Sequence, residues 1–338
     1  MDPAIFLTID VEDWFQVENF KRYIPYSSWS SHELRVERNT LQILDLFDSF
    51  RAIQNSKFKT QNSFSATFFV LGWIAHRLPR LVREIHARGH EVASHGYFHK
   101  LCSDQSSQAL EMDLCDSKKL LEDIIGSRVY GYRAPSFSIS DNVLDTIQKC
   151  GYLYDSSYNS FGFHGRYGRL DLPENGHDGI AIPINRDQYS NVPSSSCSNS
   201  VSIDVQNPES RTQNLFYELP INNLEFCPNN SKFKFVLPWG GGCYFRLIPF
   251  NIFKQGIKMI LERRGAYLFY MHPWEIDPGQ PRVLVANCFY RFRQCVNLDK
   301  TFSRLKRLLC DFDFCSFISC SEYLNLKMDQ MTKSQAHK

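Results

Sequence analysis

The sequence predicts an α/β fold, a distorted (β/α) barrel of about seven parallel strands, and three observations carry that prediction. Short apolar runs alternate with segments of helical spacing, the connections between them are short, and polar clusters recur at the ends of the apolar runs. Parallel α/β sheets carry their functional groups at those strand ends.

The elements follow in order. Ile5–Ile9 reads as a short apolar strand, and apolar residues from about Ser31 to Phe50 recur at helical spacing through Leu41, Ile43, Leu44, Leu46 and Phe47. Residues 66–71 (ATFFVL) form a buried-type strand, followed by a helix through Leu78, Leu81, Val82 and Ile85 that stops at Gly89. Glu91–Ser94 is the next strand. A helix over about Ser107–Ile125, a strand through Val129–Tyr132, a helix at Asp141–Cys150 and a strand at Tyr152–Tyr154 continue the alternation.

Regularity breaks between about Phe161 and Lys232, where a Ser/Asn/Pro-rich stretch reads as a polar insertion over about 186–213. Order resumes with a strand at Phe233–Leu237, a glycine-rich turn (PWGGG), a helix at Phe250–Arg264, a strand at Ala266–Met271 and a helix at Leu298–Leu309. Residues 326–338 are polar and expected to fray. The glycine run lacks the Lys-Ser/Thr that would make it a phosphate loop, so a tight turn is expected.

At 338 residues, 43% hydrophobic and 14% aromatic, the chain can bury a full core as one domain over 1–310. A net charge of +2 with no basic stripe argues against nucleic acid as a partner. No apolar run reaches membrane-spanning length and no export signal is visible, so a cytoplasmic location is expected. The eleven cysteines include no CxxC pair and are read as reduced thiols.

The most informative local feature is the pair His95 and His99 in SHGYFH, directly after a strand. Four residues apart, on a helical turn or across a tight loop, two imidazoles can meet on one metal. They need a third ligand, and Asp10, Glu12 and Asp13 stand at the end of the first strand. Arg133 and Pro135 follow the fourth strand, Asp155 and Ser156 the fifth, and His272, Trp274, Glu275 and Asp277 the last. Taken singly, each has a structural explanation, such as a surface salt bridge for Arg133 or a core histidine for His272. Converging at one barrel mouth, they make a parts list for metal-assisted amide hydrolysis. One carboxylate and two histidines hold a divalent ion that lowers the pKa of water from about 15.7 toward ~7. A second carboxylate is the base, an arginine keeps it ionised, and a separate histidine protonates the leaving amine.

The ordered motifs resemble those of the NodB-homology polysaccharide deacetylases, carbohydrate esterase family 4, over about residues 1–160 and 235–310. The matches are Asp10 with its acidic neighbours, His95/His99, Arg133/Pro135, Asp155/Ser157 and His272. GGGCYFR, HPWEIDPGQPR and RFRQCVNLDKT are similar to a branch linked to bacterial exopolysaccharide production, with a branch-specific segment over about 235–325. The resemblance implies a barrel of the NodB type, Asp10 as base, His95 and His99 as ligands, Arg133 as tether of the base and His272 as acid. It implies one divalent ion, zinc by preference, and an N-acetylated polysaccharide or oligosaccharide substrate. The usual adjacent aspartate pair is stretched to Asp10-Val11-Glu12-Asp13, so the carboxylate ligand is Asp13, which is favoured, or Glu12. Gly96 replaces the usual hydroxyl residue and Ser136 the usual tyrosine, whose backbone N–H is retained for an oxyanion. Trp14 and Trp274 are candidate sugar-stacking residues, with Pro135 and Ser136 also at the substrate. Two other readings stand beside this one. They are a hydrolase of small cyclic amides, and a non-catalytic glycan-binding subunit of a polysaccharide synthesis complex.

Overall fold

The computed structural model describes residues 3–58, 64–162, 165–172, 180–184, 216–226 and 235–336. Its strands are β1 (Ala4–Val11), β2 (Thr67–Val70), β3 (Glu91–Ser94), β4 (Gly131–Tyr132), β5 (Tyr154–Asp155), β6 (Ile182–Ile184), β7 (Phe216–Glu218), β8 (Asn223–Phe226), β9 (Phe235–Pro238), β10 (Ala266–Met271) and β11 (Ser316–Phe317). The main sheet runs β10-β1-β2-β3-β4-β5-β7-β6. The first seven of these are mutually parallel, and only β6 is antiparallel, at the edge. The sheet curls into a half-barrel with helices packed outside, as the alternation predicts. β8 and β9 form a separate hairpin sheet.

The first strand sets the geometry of the site. Successive side chains of a strand point to opposite faces. Ile5, Leu7, Ile9 and Val11 pack in the main cluster under the helices, while Ala4 and Phe6 join Phe69, Ala93, Tyr154 and Leu268 inside the barrel. Thr8, Asp10 and Glu12 continue that inner row toward the barrel mouth. Burying each large apolar side chain contributes roughly 1.5–3 kcal/mol. The buried charges at the mouth carry a desolvation cost that only pairing can offset.

Local chemistry accounts for the element boundaries. Ser106 Oγ accepts the Ala109 N–H at the start of the helix Ser107–Ile125, and Gly126 ends it in the left-handed region at φ 68°. Gly265, at φ 66°, does the same for Phe250–Arg264. The helix expected from about Ser31 begins at Val36, because the Asp13 carboxylate takes the Arg35 and Val36 amides and marks the first turn there. Residues 26–31 form a short 3-10 helix instead.

Two expectations are corrected. The stretch expected to be irregular holds the seventh parallel strand, β7, paired to β5 through Asp155↔Glu218. It spans three residues and includes a buried carboxyl, so it carries neither the length nor the apolar pattern of a strand. The tail expected to fray is helical over Cys320–Ala336, seated by β11 beside the start of β1. The expected insertion at 186–213 lies outside the described residues. Among the described residues, no helix is long and apolar enough to cross a membrane.

Candidate active site

β1, β3, β4 and β10 deliver their C-terminal ends to one cavity of about 110 Å³. Asp10, Glu12, His95, His99, Ser136, His272 and Trp274 line it, with Glu18, Asn19 and Arg166 on its outer side.

The two histidines sit in a loop rather than on a helical turn. Gly96 (φ 72°) and His99 (φ 52°) both adopt left-handed backbone there. A Cβ on Gly96 would lie 2.8 Å from Asp113 Oδ2, which explains the absence of the usual hydroxyl side chain. Asp113, from the helix Ser107–Ile125, accepts the amides of Tyr97 and Phe98 at 2.8 and 3.3 Å and so fixes the loop. His95 Nδ1 lies 2.8 Å from the Arg133 carbonyl; in the tautomer that donates to this oxygen, Nε2 has its lone pair free for a ligand role. Burial holds the His95 imidazole down at about 4, keeping it neutral, although Asp10 pulls the other way.

Glu12, not the favoured Asp13, is the carboxylate beside them. One ligand atom each from Glu12, His95 and His99 falls within 4.8 Å of the other two. Asp13 lies past the end of β1, in a turn where its carbonyl accepts the Gln16 amide, and its side chain is turned away from the cavity. Its oxygens accept the amides of Trp14 (2.8 Å), Arg35 (2.6 Å) and Val36 (2.9 Å), which commits it to the start of the helix Val36–Phe58. His99 Nε2 comes within 2.9 Å of Glu12 Oε2, yet that oxygen is buried without a hydrogen-bond partner. Close, converging and unbonded donors of the Glu-His-His type suit a divalent cation. Electrostatics agree. Burial penalises the charge on Glu12, but His99 and His272 hold it well below the usual carboxylate range, so the group is anionic, as a metal ligand must be.

Asp10 is held from behind. Arg133, fully buried, donates from Nη1 to Asp10 Oδ1 at 2.7 Å and to Thr8 Oγ1 at 2.8 Å. Its Nε and Nη2 donate to the carbonyl and hydroxyl of Ser156, both at 2.9 Å, and the guanidinium lies 4.1 Å from the Phe69 ring. Asp155 does not reach the cavity. It accepts from Ser157, whose hydroxyl in turn accepts the Ala134 amide at 2.7 Å, so this motif anchors the Arg133 loop.

His272 faces the carboxylates from β10. Its Nε2 is 3.0 Å from Glu12 Oε1 and 4.0 Å from Asp10 Oδ2. Neither Asp277 nor Asp155, the other strand-end aspartates, partners its second nitrogen. Asp277 is engaged by Arg35 and Arg38, and Glu275 Oε2 stands 3.2 Å from His272 Nδ1. Burial disfavours a charged His272, but the Glu12 and Glu275 carboxylates raise it to about 10. Glu275 is itself gripped by Arg246 Nε at 2.9 Å, both groups being buried. A Cβ on Gly242 would lie 2.0 Å from Glu275 Oε2, so the third glycine of the GGG turn admits this carboxylate. Sequence reasoning missed Glu275 and Arg246 as partners, and their signal was present in HPWE and GGGCYFR.

The aromatic candidates divide. Trp274 lines the cavity and stacks on His272 with centroids 5.0 Å apart. Trp14 does not line it; the indole is buried, edge-on to Phe15, and donates to the Glu33 carbonyl. Pro135 is buried and opens a short 3-10 turn, while Ser136, at φ 50°, reaches the cavity wall.

Comparison with known proteins gives the arrangement its context. Residues 57–154 match the family described as polysaccharide deacetylase, and residues 156–322 match a domain of unknown function, DUF3473. A peptidoglycan-N-acetylglucosamine deacetylase of Bacillus cereus is 33% identical over 113 residues, 33% of this chain and 47% of that protein. A peptidoglycan deacetylase of Helicobacter pylori is 30% identical over 105 residues, 31% of this chain and 36% of that protein. A chitooligosaccharide deacetylase of Sinorhizobium fredii is 34% identical over 87 residues, 25% of this chain and 40% of that protein. The chain thus spans less than half the length of these relatives. The crystal structure of a candidate polysaccharide deacetylase from Mycobacterium smegmatis shares the fold, with a TM-score of 0.57 at 16% identity over 98% of this chain and 92% of that one. The chain thus carries, over residues 57–154, a segment that matches the polysaccharide deacetylase family, within a fold shared with the Mycobacterium smegmatis protein.

Proposed function

We propose that the protein removes N-acetyl groups from a glycan by metal-dependent hydrolysis, with Asp10 as base and His272 as acid. One observation carries the reading. A restrained carboxylate and a carboxylate-backed imidazole face each other, 4.0 Å apart, beside the Glu12-His95-His99 donor set.

Glu12, His95 and His99 would hold the ion, which when bound supplies Lewis-acid polarisation of the amide carbonyl and of the attacking water. Arg133 occupies Asp10 Oδ1 and leaves Oδ2 toward the cavity, where it accepts the proton of the water. The Ser136 backbone lies at the wall where an oxyanion would develop. An amine is a poor leaving group, so it must be protonated as the C–N bond breaks, and His272 Nε2 is placed to give that proton. Glu275 at Nδ1 stabilises the imidazolium and selects the tautomer. A cavity of about 110 Å³ admits an acetamido group while the sugar ring stays outside.

The named activities of the relatives support an N-acetylglucosamine-containing substrate, and the branch-like segments support a bacterial exopolysaccharide or envelope glycan as its setting. Zinc suits the donor set. The test is acetate release from N-acetylated chito-oligosaccharides by protein stripped of metal and then reloaded. Release that follows reloading supports the proposal; release from stripped protein at the full rate, or none under either condition, refutes it.

A further inference from the structure

Beside the cavity lies a second, larger groove of about 470 Å³, whose walls include Phe20, Leu284, Arg291 and Phe292. The two share one partition, since Val17, Glu18 and Asn19 line the cavity and Phe20 lines the groove. Around the groove the segment 281–296 exposes large apolar side chains that a free surface does not favour. Leu284 is 72% exposed, Val285 76%, Phe289 60% and Phe292 54%. The charge there has one sign. Arg282, Arg291 and Arg293 lie among these residues, and no acidic residue occurs between Asp277 and Asp299. On the opposite wall, Phe20 is followed by Lys21, which pairs with Glu18 at 3.3 Å, and by exposed Arg22.

We propose that this face docks on an anionic lipid surface, with Leu284, Val285, Phe289 and Phe292 entering the headgroup boundary and Arg282 and Arg291 meeting lipid phosphates. The combination of protruding apolar side chains with unopposed guanidinium groups is what an anionic bilayer surface complements. The two most exposed of these side chains, Leu284 and Val285, are aliphatic and give a sugar neither a stacking face nor a hydrogen bond. The face is rigid. Arg291 Nη1 donates to the Leu284 carbonyl at 3.1 Å, tying the loop to the helix Cys288–Cys295. Arg246 donates to the carbonyls of Arg293, Gln294 and Val296 at 2.8–3.1 Å while its Nε holds Glu275. The docking face and His272 therefore share one wall, and docking would present the cavity to a glycan at the membrane surface. The inference concerns location and goes beyond the proposed reaction.

The test is co-sedimentation of the full chain with phosphatidylcholine vesicles, with and without added phosphatidylglycerol, a readout that needs no turnover. The expected result is binding to the anionic vesicles alone, weakening as salt rises. Leu284→Ser with Val285→Ser should lower partitioning about tenfold or more, and Arg282→Gln about fivefold. Both variants change exposed residues, so their melting temperatures should match the parent. Wild-type protein that stays in the supernatant with anionic vesicles overturns the proposal, as does a double variant that pellets like the parent. Vesicle-free dimerisation abolished by the same substitutions would assign the face to a second copy of the chain and also overturn it.

Discussion

Arg246 and Glu275 form a buried ion pair at 2.9 Å directly behind the imidazole of His272. Burial raises the Glu275 carboxyl, but the Arg246 guanidinium and His272 bring it below the usual range. The pair joins two distant segments, GGGCYFR and HPWE, into one support for the acid.

That support can be probed from both ends. Glu275→Gln keeps the shape and removes the charge, and should lower kcat by roughly 10²-fold while leaving bound metal unchanged. Arg246→Met strands a buried carboxylate and should cost about 3–5 kcal/mol of stability. Steady-state kinetics, elemental analysis and chemical unfolding read these effects. Full turnover by Glu275→Gln would reduce the pair to packing.

Glu12 and Asp13 are adjacent in sequence and opposite in expected behaviour. Glu12→Gln should abolish stoichiometric metal binding. Asp13→Asn should keep the metal but weaken the start of the helix Val36–Phe58, at a cost of about 0.5–2 kcal/mol. Metal loss in the Asp13 variant alone would reverse the assignment.

Asp10→Asn should retain metal and lose turnover by about 10² or more. Arg133 acts through Asp10, so Arg133→Met should cost little further turnover in the Asp10→Asn background. Additive losses across the double-mutant cycle would show that Arg133 acts independently of Asp10.

His272→Ala should fold, fail on N-acetylated sugars and keep more of its activity on activated acetate esters, whose leaving groups need no proton. Equal loss on both, in metallated protein, would show that His272 is not the acid.

In metal-free protein His272 is raised to about 10. Because the folded pKa lies above the ordinary value of 6.5, its contribution to stability is complete below pH 6.5 and is lost as pH rises toward 10. His272→Gln should flatten that part of the stability profile. Added divalent metal, by neutralising Glu12, should move the His272 titration downward in an NMR pH series. An unmoved titration would separate His272 from the donor set.

Much of this was legible from the chain because local signals agreed with the fold. The helices Ser107–Ile125 and Phe250–Arg264 and the strands Glu91–Ser94 and Ala266–Met271 lie where periodicity and caps put them. The convergence of Asp10, His95, His99, Arg133 and His272 was legible because parallel strands share a functional end. What was hidden depends on tertiary direction. Glu12 and Asp13 differ only in which way their side chains turn past the end of β1, and nothing local distinguishes them. Trp14 looks like a sugar platform until Phe15 and His32 pack against it. β7 escaped notice because a sheet neighbour, rather than its own three residues, makes it a strand.

The pairing of β1 with β10 runs from Ala4↔Ala266 to Ile9↔Met271. Every residue of the metal donor set belongs to the first 99 positions, whereas the acid arrives more than 170 residues later. The two halves of the chemistry therefore mature at different times. Under the proposed mechanism, a growing chain would hold its metal donors early and stay inert until β10 pairs with β1, a contact of long loop closure that forms slowly. Afterwards, fraying of this one edge strand would halt the proposed reaction and leave the proposed metal donors in place. Hydrogen exchange along β10 would then report the fraction of molecules competent to react.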